Sequence, residues 1–415
     1  MDQGEPSKPS TAIPRSVKLV GLAAAIAGTA CLAMVLIEVL TLWGYWPPKR
    51  IDVALIVGGV AILELARRAS GWPRVEPAVR ERLGRWTGRV DGLAEYALAG
   101  RRPTIAVAGL IVIVLAVWAP HYLTWPLWTD HDVLGTLAIG WDRGKLPWRD
   151  QFSFQFPGEI ELFWVLGKTV GWGSSVLFYA ADLALLGVLL TTVAVSCRES
   201  LGRWLPGLTA CLSILGYYVT LAFTHVAQRD WHAAELAAVS LMLAMTGGSP
   251  RRWIASALVF ATAMTFRPHA IVFLPAIGLA LAFPPQGSSA GWKGMLIWIG
   301  AVTAGLLATF SPVLLGGLTG DFIRAMRTAG RSGGFYAGAS LARSWELLLY
   351  ELRDGWTWGL GAALAALAWW GTSPASRRFA AILFTANVCV LFYRPLHPVR
   401  SEEHTSELQS HSDLV

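Results

Sequence analysis

"TIAVAGLIVIVLAVWAP" (Thr104–Pro120) holds no charged side chain. Shortly after it comes "WTDHDVLGTLAIGWDRGKLPWRD" (Trp128–Asp150), which carries Asp130, Asp132, Asp142, Asp150, Arg143, Lys145, Arg149 and His131. The first run comes close to filling a bilayer core, which takes about 20 apolar residues in helical form. The second sets ionisable groups at its exit, where they are affordable only next to water or to one another. Alternation of these two textures decides the fold, because inside lipid a backbone satisfies its amides only in helices or closed barrels. Across all 415 residues, 54% hydrophobic and 15% charged composition with 21 tryptophans is too apolar for a soluble globule. The expected class is an all-α, polytopic integral membrane protein with about 10 to 11 transmembrane segments.

Working outward by length, further spans are expected at Val17 to Leu42, Val53 to Ala66, Ser174 to Ser196, Trp204 to Phe223, Ala233 to Met245, Met295 to Gly316, Trp356 to Gly371 and Phe379 to Tyr393, with Trp253 to Phe283 as a broken pair. The first of these continues too far to be a signal-peptide core and is read as an anchor. Cys31, Cys197, Cys211 and Cys389 lie in or beside apolar runs, with neither metal-ligand nor disulfide spacing, and are read as packing residues. From about Arg400 the text becomes "RSEEHTSELQSHSDLV", which resembles the translation of a sequencing-library adapter; residues 400–415 are set aside, and the natural chain is expected to continue past Val399.

Short loops rich in Arg and Lys mark the cytoplasmic side of a membrane protein. Arg67 to Arg102 holds nine arginines against four acids, and Arg198/Arg203, Arg251/Arg252, Lys293 and Arg377/Arg378 mark further basic loops, while Lys49/Arg50 break the rule locally. The count of spans closes if Trp253 to Phe283 enters and returns to one side as two half-length helices joined near "FRPH" (Phe266–His269). Trp128–Asp150, "HVAQRDWH" (His225–His232), "FRPH", Gly317 to Asp354 and "YRPLHPV" (Tyr393–Val399) then share the outer face. Within the basic segment Val75, Val79, Leu83, Trp86, Val90, Leu93 and Ala97 recur at helical spacing between Arg80, Arg82, Arg85 and Arg89, the pattern of an amphipathic helix on an anionic inner leaflet. Much of the +7 net charge comes from this segment, which argues for lipid headgroups and against nucleic acid.

Acids and cations from distant segments therefore meet on one face. Asp130, His131, Asp132 and Asp150 stand on one side; Arg229, Asp230, Arg267, His269, Arg394 and His397 stand on the other. A carboxylate facing cations suits a reaction in which a hydroxyl is deprotonated and an anionic phosphate departs. Plainer roles exist for each: Asp130 and Asp132 as helix caps, Asp150 as a loop organiser, Arg267 as a donor to carbonyls freed by Pro268, and Trp125, Trp128, Trp141 and Trp148 as an interfacial belt.

The acidic cluster followed by "GKLPWRD" (Gly144–Asp150) and "FPGEIELFWVLGKTVG" (Phe156–Gly171) resembles the first outer loop of the GT-C superfamily of polytopic glycosyltransferases. It is most similar to the mannosyltransferase-like, or RgtA-like, bacterial relatives of protein O-mannosyltransferases and lipid A aminoarabinose transferases. "AQRDWHAAEL" (Ala227–Leu236) and "FRPHAIVFLP" (Phe266–Pro275) resemble later family segments, so the likeness covers about Thr104 to Val399. It divides the chain into residues 1–103, two spans with the basic segment, and 104–399, the GT-C-like domain. The resemblance implies a bacterial inner-membrane enzyme that transfers a sugar, with inversion, from a polyprenyl-phosphate donor to an acceptor hydroxyl on the outer face. It implies a metal-independent or weakly metal-dependent transfer with no organic cofactor, and assigns no metal ligands. The general base would be Asp130, with Asp132 in reserve; Arg267, Arg229, His269 and Arg394 would face the donor phosphate, and His131, Asp150, Asp230 and His397 would position substrate. Two rival classes stay open: a surface-polysaccharide polymerase or ligase using Arg324, Arg327, Arg331 and Arg343, and a lipid-linked saccharide transporter. A membrane scaffold without catalysis is disfavoured by the converging charges.

Overall fold

The computed structural model describes residues 101–151, 153, 155–221, 226–285, 291–332 and 374–393, with short helical patches at 77–78, 81–82, 84–85 and 88–89. Among the described residues the chain is all-helical and has no strand, only one isolated bridge between Pro147 and Gln151. The spans at Val17 to Leu42, Val53 to Ala66 and Trp356 to Gly371, the apolar stripe of the basic segment, and residues 400–415 lie outside the described residues. Of that basic segment, Arg82, Arg85 and Arg89 are helical and exposed, with Glu81 3.8 Å from Arg85 one turn away.

We number the described helices α1 (Arg101–Tyr122), α2 (Thr129–Asp142), α3 (Pro157–Val170), α4 (Ser175–Leu201), α5 (Leu205–Thr220), α6 (Arg229–Thr246), α7 (Pro250–Phe266), α8 (Leu274–Ala282), α9 (Gly291–Thr309), α10 (Ser311–Leu315), α11 (Thr319–Ser332) and α12 (Pro374–Tyr393). A 3₁₀ segment, Pro268–Phe273, joins α7 to α8. Three of these, α1, α4 and α9, are long and apolar enough to cross a membrane. On α1 the side chains of Ile105, Val112, Ile113 and Val117 are exposed, a surface that water disfavours and lipid accepts.

Local chemistry sets the turns. Ser174 caps α4 by accepting from the Leu177 N–H, and the helix stops at Gly202, whose φ of 72° is left-handed and lets its N–H reach the Arg198 carbonyl. Three residues later the chain reverses into α5, and α6 and α7 are joined as tightly, with Pro250 at the first turn of α7. At Gly207 a Cβ would stand 2.8 Å from the Ala194 Cα, so α4 and α5 approach as closely as small residues permit. Deeper in, Ser240 and Ser256 exchange hydrogen bonds with each other's carbonyls at 2.8 and 2.9 Å, and the Trp298 indole N–H donates to Ser256 at 3.0 Å, fastening α6, α7 and α9.

The bundle has two unlike ends. Arg252 forms a two-pronged pair with Glu199 at 2.6 and 2.8 Å, joining the start of α7 to the end of α4. Arg378 donates to the carbonyls of Met245 at 2.7 Å and Ala280 at 2.9 Å, and to that of Phe283. The chain therefore leaves this end in α7 and comes back to it in α8, the excursion expected of Trp253 to Phe283. Its outgoing arm is longer than expected: 17 helical residues reach about 25 Å, so only the returning arm is short. The opposite end carries α2 and α3, which pair with each other through Lys168 and Asp142 at 2.7 Å. Beside them lies α11, held by Arg149, which donates to Asp321 at 2.8 Å and the Gly317 carbonyl at 2.7 Å.

Candidate functional site

The N-terminus of α2 begins the site. Asp130 and Asp132 both fall in its first turn, where the helix dipole favours carboxylates, but neither caps it; the cap position is Trp128. His131, between them, turns inward and is 1% exposed. Its Nδ1 accepts from the Trp128 N–H at 3.3 Å and its Nε2 donates to the Ala227 carbonyl at 3.1 Å. One neutral tautomer satisfies both bonds, and burial lowers the imidazole's pKa in keeping with it. His131 thus clips the start of α2 to the turn before α6.

That clip brings the predicted charges together. Arg229, the first residue of α6, lies 3.8 Å from Asp130, whose side chain is 46% exposed against 12% for the arginine. Its neighbour Asp230 pairs with Arg267 at 2.6 Å, both partly buried. Arg267 ends α7 in extended backbone, which Pro268 after it favours, and His269 follows in the 3₁₀ turn. Asp130, Arg229, Asp230 and Arg267 therefore form a chain of alternating charge drawn from three segments.

Other candidates sit elsewhere. Asp132 is exposed and lines a separate cavity of about 240 Å³ with Thr136, Phe163, Trp172 and Phe178, so the two first-turn acids serve different spaces. Asp150 accepts the Leu146 N–H at 2.8 Å, the loop-organising role. Trp148 is not a belt residue: it is buried, adopts a φ of 65°, donates to the Gln155 carbonyl at 3.0 Å and packs edge-on against Phe322 of α11. Arg394 and His397 lie outside the described residues.

Beneath the charge chain lies a buried network that sequence reasoning did not single out. His232, one turn along α6, has Nδ1 3.1 Å from Glu159 Oε2 and Nε2 3.0 Å from Asp182 Oδ1. Tyr122 donates to Asp182 Oδ2 at 2.6 Å, and Tyr218 Oη lies 2.9 and 2.8 Å from the same carboxylate. Tyr218 also accepts the Ala227 N–H at 3.0 Å. Ala227 is left-handed (φ 53°), unusual for a residue with a Cβ, and its peptide groups are held by His131 on one side and Tyr218 on the other. A signal for Asp182 did exist: it is the only acid in the apolar Ser174 to Ser196 run. On α3, Glu161 has one unpartnered carboxyl oxygen, and burial raises its pKa to about 7.

No family model, curated protein or solved structure matches the chain.

Proposed function

We propose that this chain is a GT-C-type membrane glycosyltransferase, which moves a sugar from a polyprenyl-phosphate donor to an acceptor hydroxyl on the outer face of a bacterial inner membrane. The observation that carries the reading is the convergence of Asp130, Arg229, Asp230 and Arg267 at the end of the bundle opposite its basic loops. With the basic end cytoplasmic, this site faces outward.

In this reading Asp130 takes the acceptor's O–H proton as the new C–O bond forms at the anomeric carbon. The bond from that carbon to the phosphate oxygen breaks on the opposite side, its electron pair leaving with the phosphate. Arg267 and Arg229 meet the charge that develops there, the larger electrostatic contribution for a leaving group that is already a weak base. Asp230 holds Arg267 in place.

Transfer is tested with purified protein and a panel of polyprenyl-phosphate sugars. Asp130→Asn keeps size and much of the hydrogen bonding but cannot accept the proton, so turnover is expected to fall at least about a hundredfold. Asp132→Asn, which faces the other cavity, is expected to cost less. Full activity in Asp130→Asn overturns the base assignment. Full activity in the double variant favours the polymerase or ligase reading, which the exposed Arg324 on α11 supports.

A further inference from the structure

We propose that the buried cluster of Glu159, Asp182 and Glu235 around His232 is a proton-binding site inside the helix bundle, with Glu235 holding the proton as an un-ionised acid. The four side chains come from α3, α4 and α6, and none is more than 3% exposed. Both ring nitrogens of His232 face a carboxylate, so a doubly protonated ring satisfies Glu159 and Asp182 together. Tyr122 from α1 and Tyr218 from α5 complete the shell of Asp182. Nothing comparable serves Glu235: both of its carboxyl oxygens, and one of Glu159, are buried without a hydrogen-bond donor.

Glu235 stands one helical turn from His232, near enough to feel the charges of both His232 and Asp182. One imidazolium cannot balance three carboxylates. A carboxylate without donors on either oxygen is among the costliest groups to bury, and a proton removes that cost at once. Of the remaining ionisable neighbours, His131 on α2 feels the charges of Glu159 and His232 and is held neutral by its own two hydrogen bonds, and the 3₁₀ segment packed against α6 carries His269; α7 contributes Phe266 against the His232 ring, its Arg251 and Arg252 lying at the far end, and α8 has no ionisable residue in its sequence. At the top of α6, Asp230 is committed to Arg267.

This inference does not depend on sugar transfer, and its test needs no substrate. The full chain in lipid nanodiscs is examined by infrared spectroscopy at neutral pH for the carbonyl stretch of an un-ionised carboxylic acid. Glu161→Gln serves as the background, because Glu161 contributes such a group near neutrality. An acid band is expected to persist in that background, to shift when glutamate but not aspartate is labelled with ¹³C at the carboxyl, and to vanish when Glu235→Gln is added. Glutamine resembles the neutral acid in shape, so the added change is expected to leave the apparent melting temperature nearly unaltered. No acid band in the Glu161→Gln protein, a band that follows aspartate labelling, or a band that survives Glu235→Gln overturns the proposal. The labelling result stands even if the double variant does not fold.

Discussion

His131 shows how one side chain fixes the placement of several others. It accepts at Nδ1 and donates at Nε2, so it must be neutral to hold α2 against the Ala227 turn. Its pKa is lowered by burial; a histidine depressed in the folded state lends stability that is complete above the ordinary imidazole value of about 6.5 and is lost as pH falls from there through the folded value. Glutamine can offer one acceptor and one donor at similar reach without titrating. His131→Gln is therefore expected to show a smaller drop in apparent melting temperature than the parent on acidification below about pH 6.5, measured by thermal unfolding in detergent; equal drops would remove His131 from the account. In the sequence "DHD" reads as three polar residues in a row, and helical geometry is what separates them: His131 goes inward, Asp130 to Arg229 and Asp132 to another cavity. That division depends on where α3, α4 and α6 approach, which no local pattern encodes.

Helices meet here through gaps that only small residues leave. At Gly158, in the first turn of α3, a Cβ would lie 2.6 Å from Thr265 Oγ1 and 2.8 Å from the Thr265 carbonyl carbon, a backbone atom that cannot swing aside. Gly158→Ala is expected to destabilise the protein by about 1–3 kcal/mol, the usual cost of overpacking. Gly278→Ala, on α8 with open space around its Cβ position, serves as the control and is expected to be neutral or mildly stabilising. Thermal unfolding of both variants distinguishes a packing contact from a general intolerance of change. The outlines of α1 and α4 were legible from apolar length alone, and the break at Pro268 from residue chemistry, whereas the expected Met295 to Gly316 span divides into α9, which ends at Thr309, and the short α10 beginning at Ser311. The true length of α7 was not legible either: Arg267 and Pro268 mark its end plainly, but reading the excursion as symmetric made both arms short. Glu159 and Glu235 escaped notice because acids near helix starts usually face water, and only packing shows that these do not.

Taken whole, the molecule is polarised along the bundle. Arg198, Arg203, Arg251, Arg252, Arg377 and Arg378 gather toward one end, while α2, α3, α11 and the Asp130–Arg229 chain occupy the other. If the basic end is cytoplasmic, a reporter that works only outside the cytoplasm is expected to be active when fused after Arg149 and silent when fused after Arg85. The reverse pattern would put the charge chain on the wrong side for a lipid-linked donor presented outside. The outer layer and the buried layer meet at one residue: the carbonyl of Ala227 accepts from His131, and its N–H, in the preceding peptide, donates to Tyr218, which touches Asp182. Thermodynamic reciprocity then binds them. Whatever factor occupancy of the outer charge chain imposes on proton affinity in the interior, a proton gained or lost in the interior must impose the same factor on ligand affinity outside.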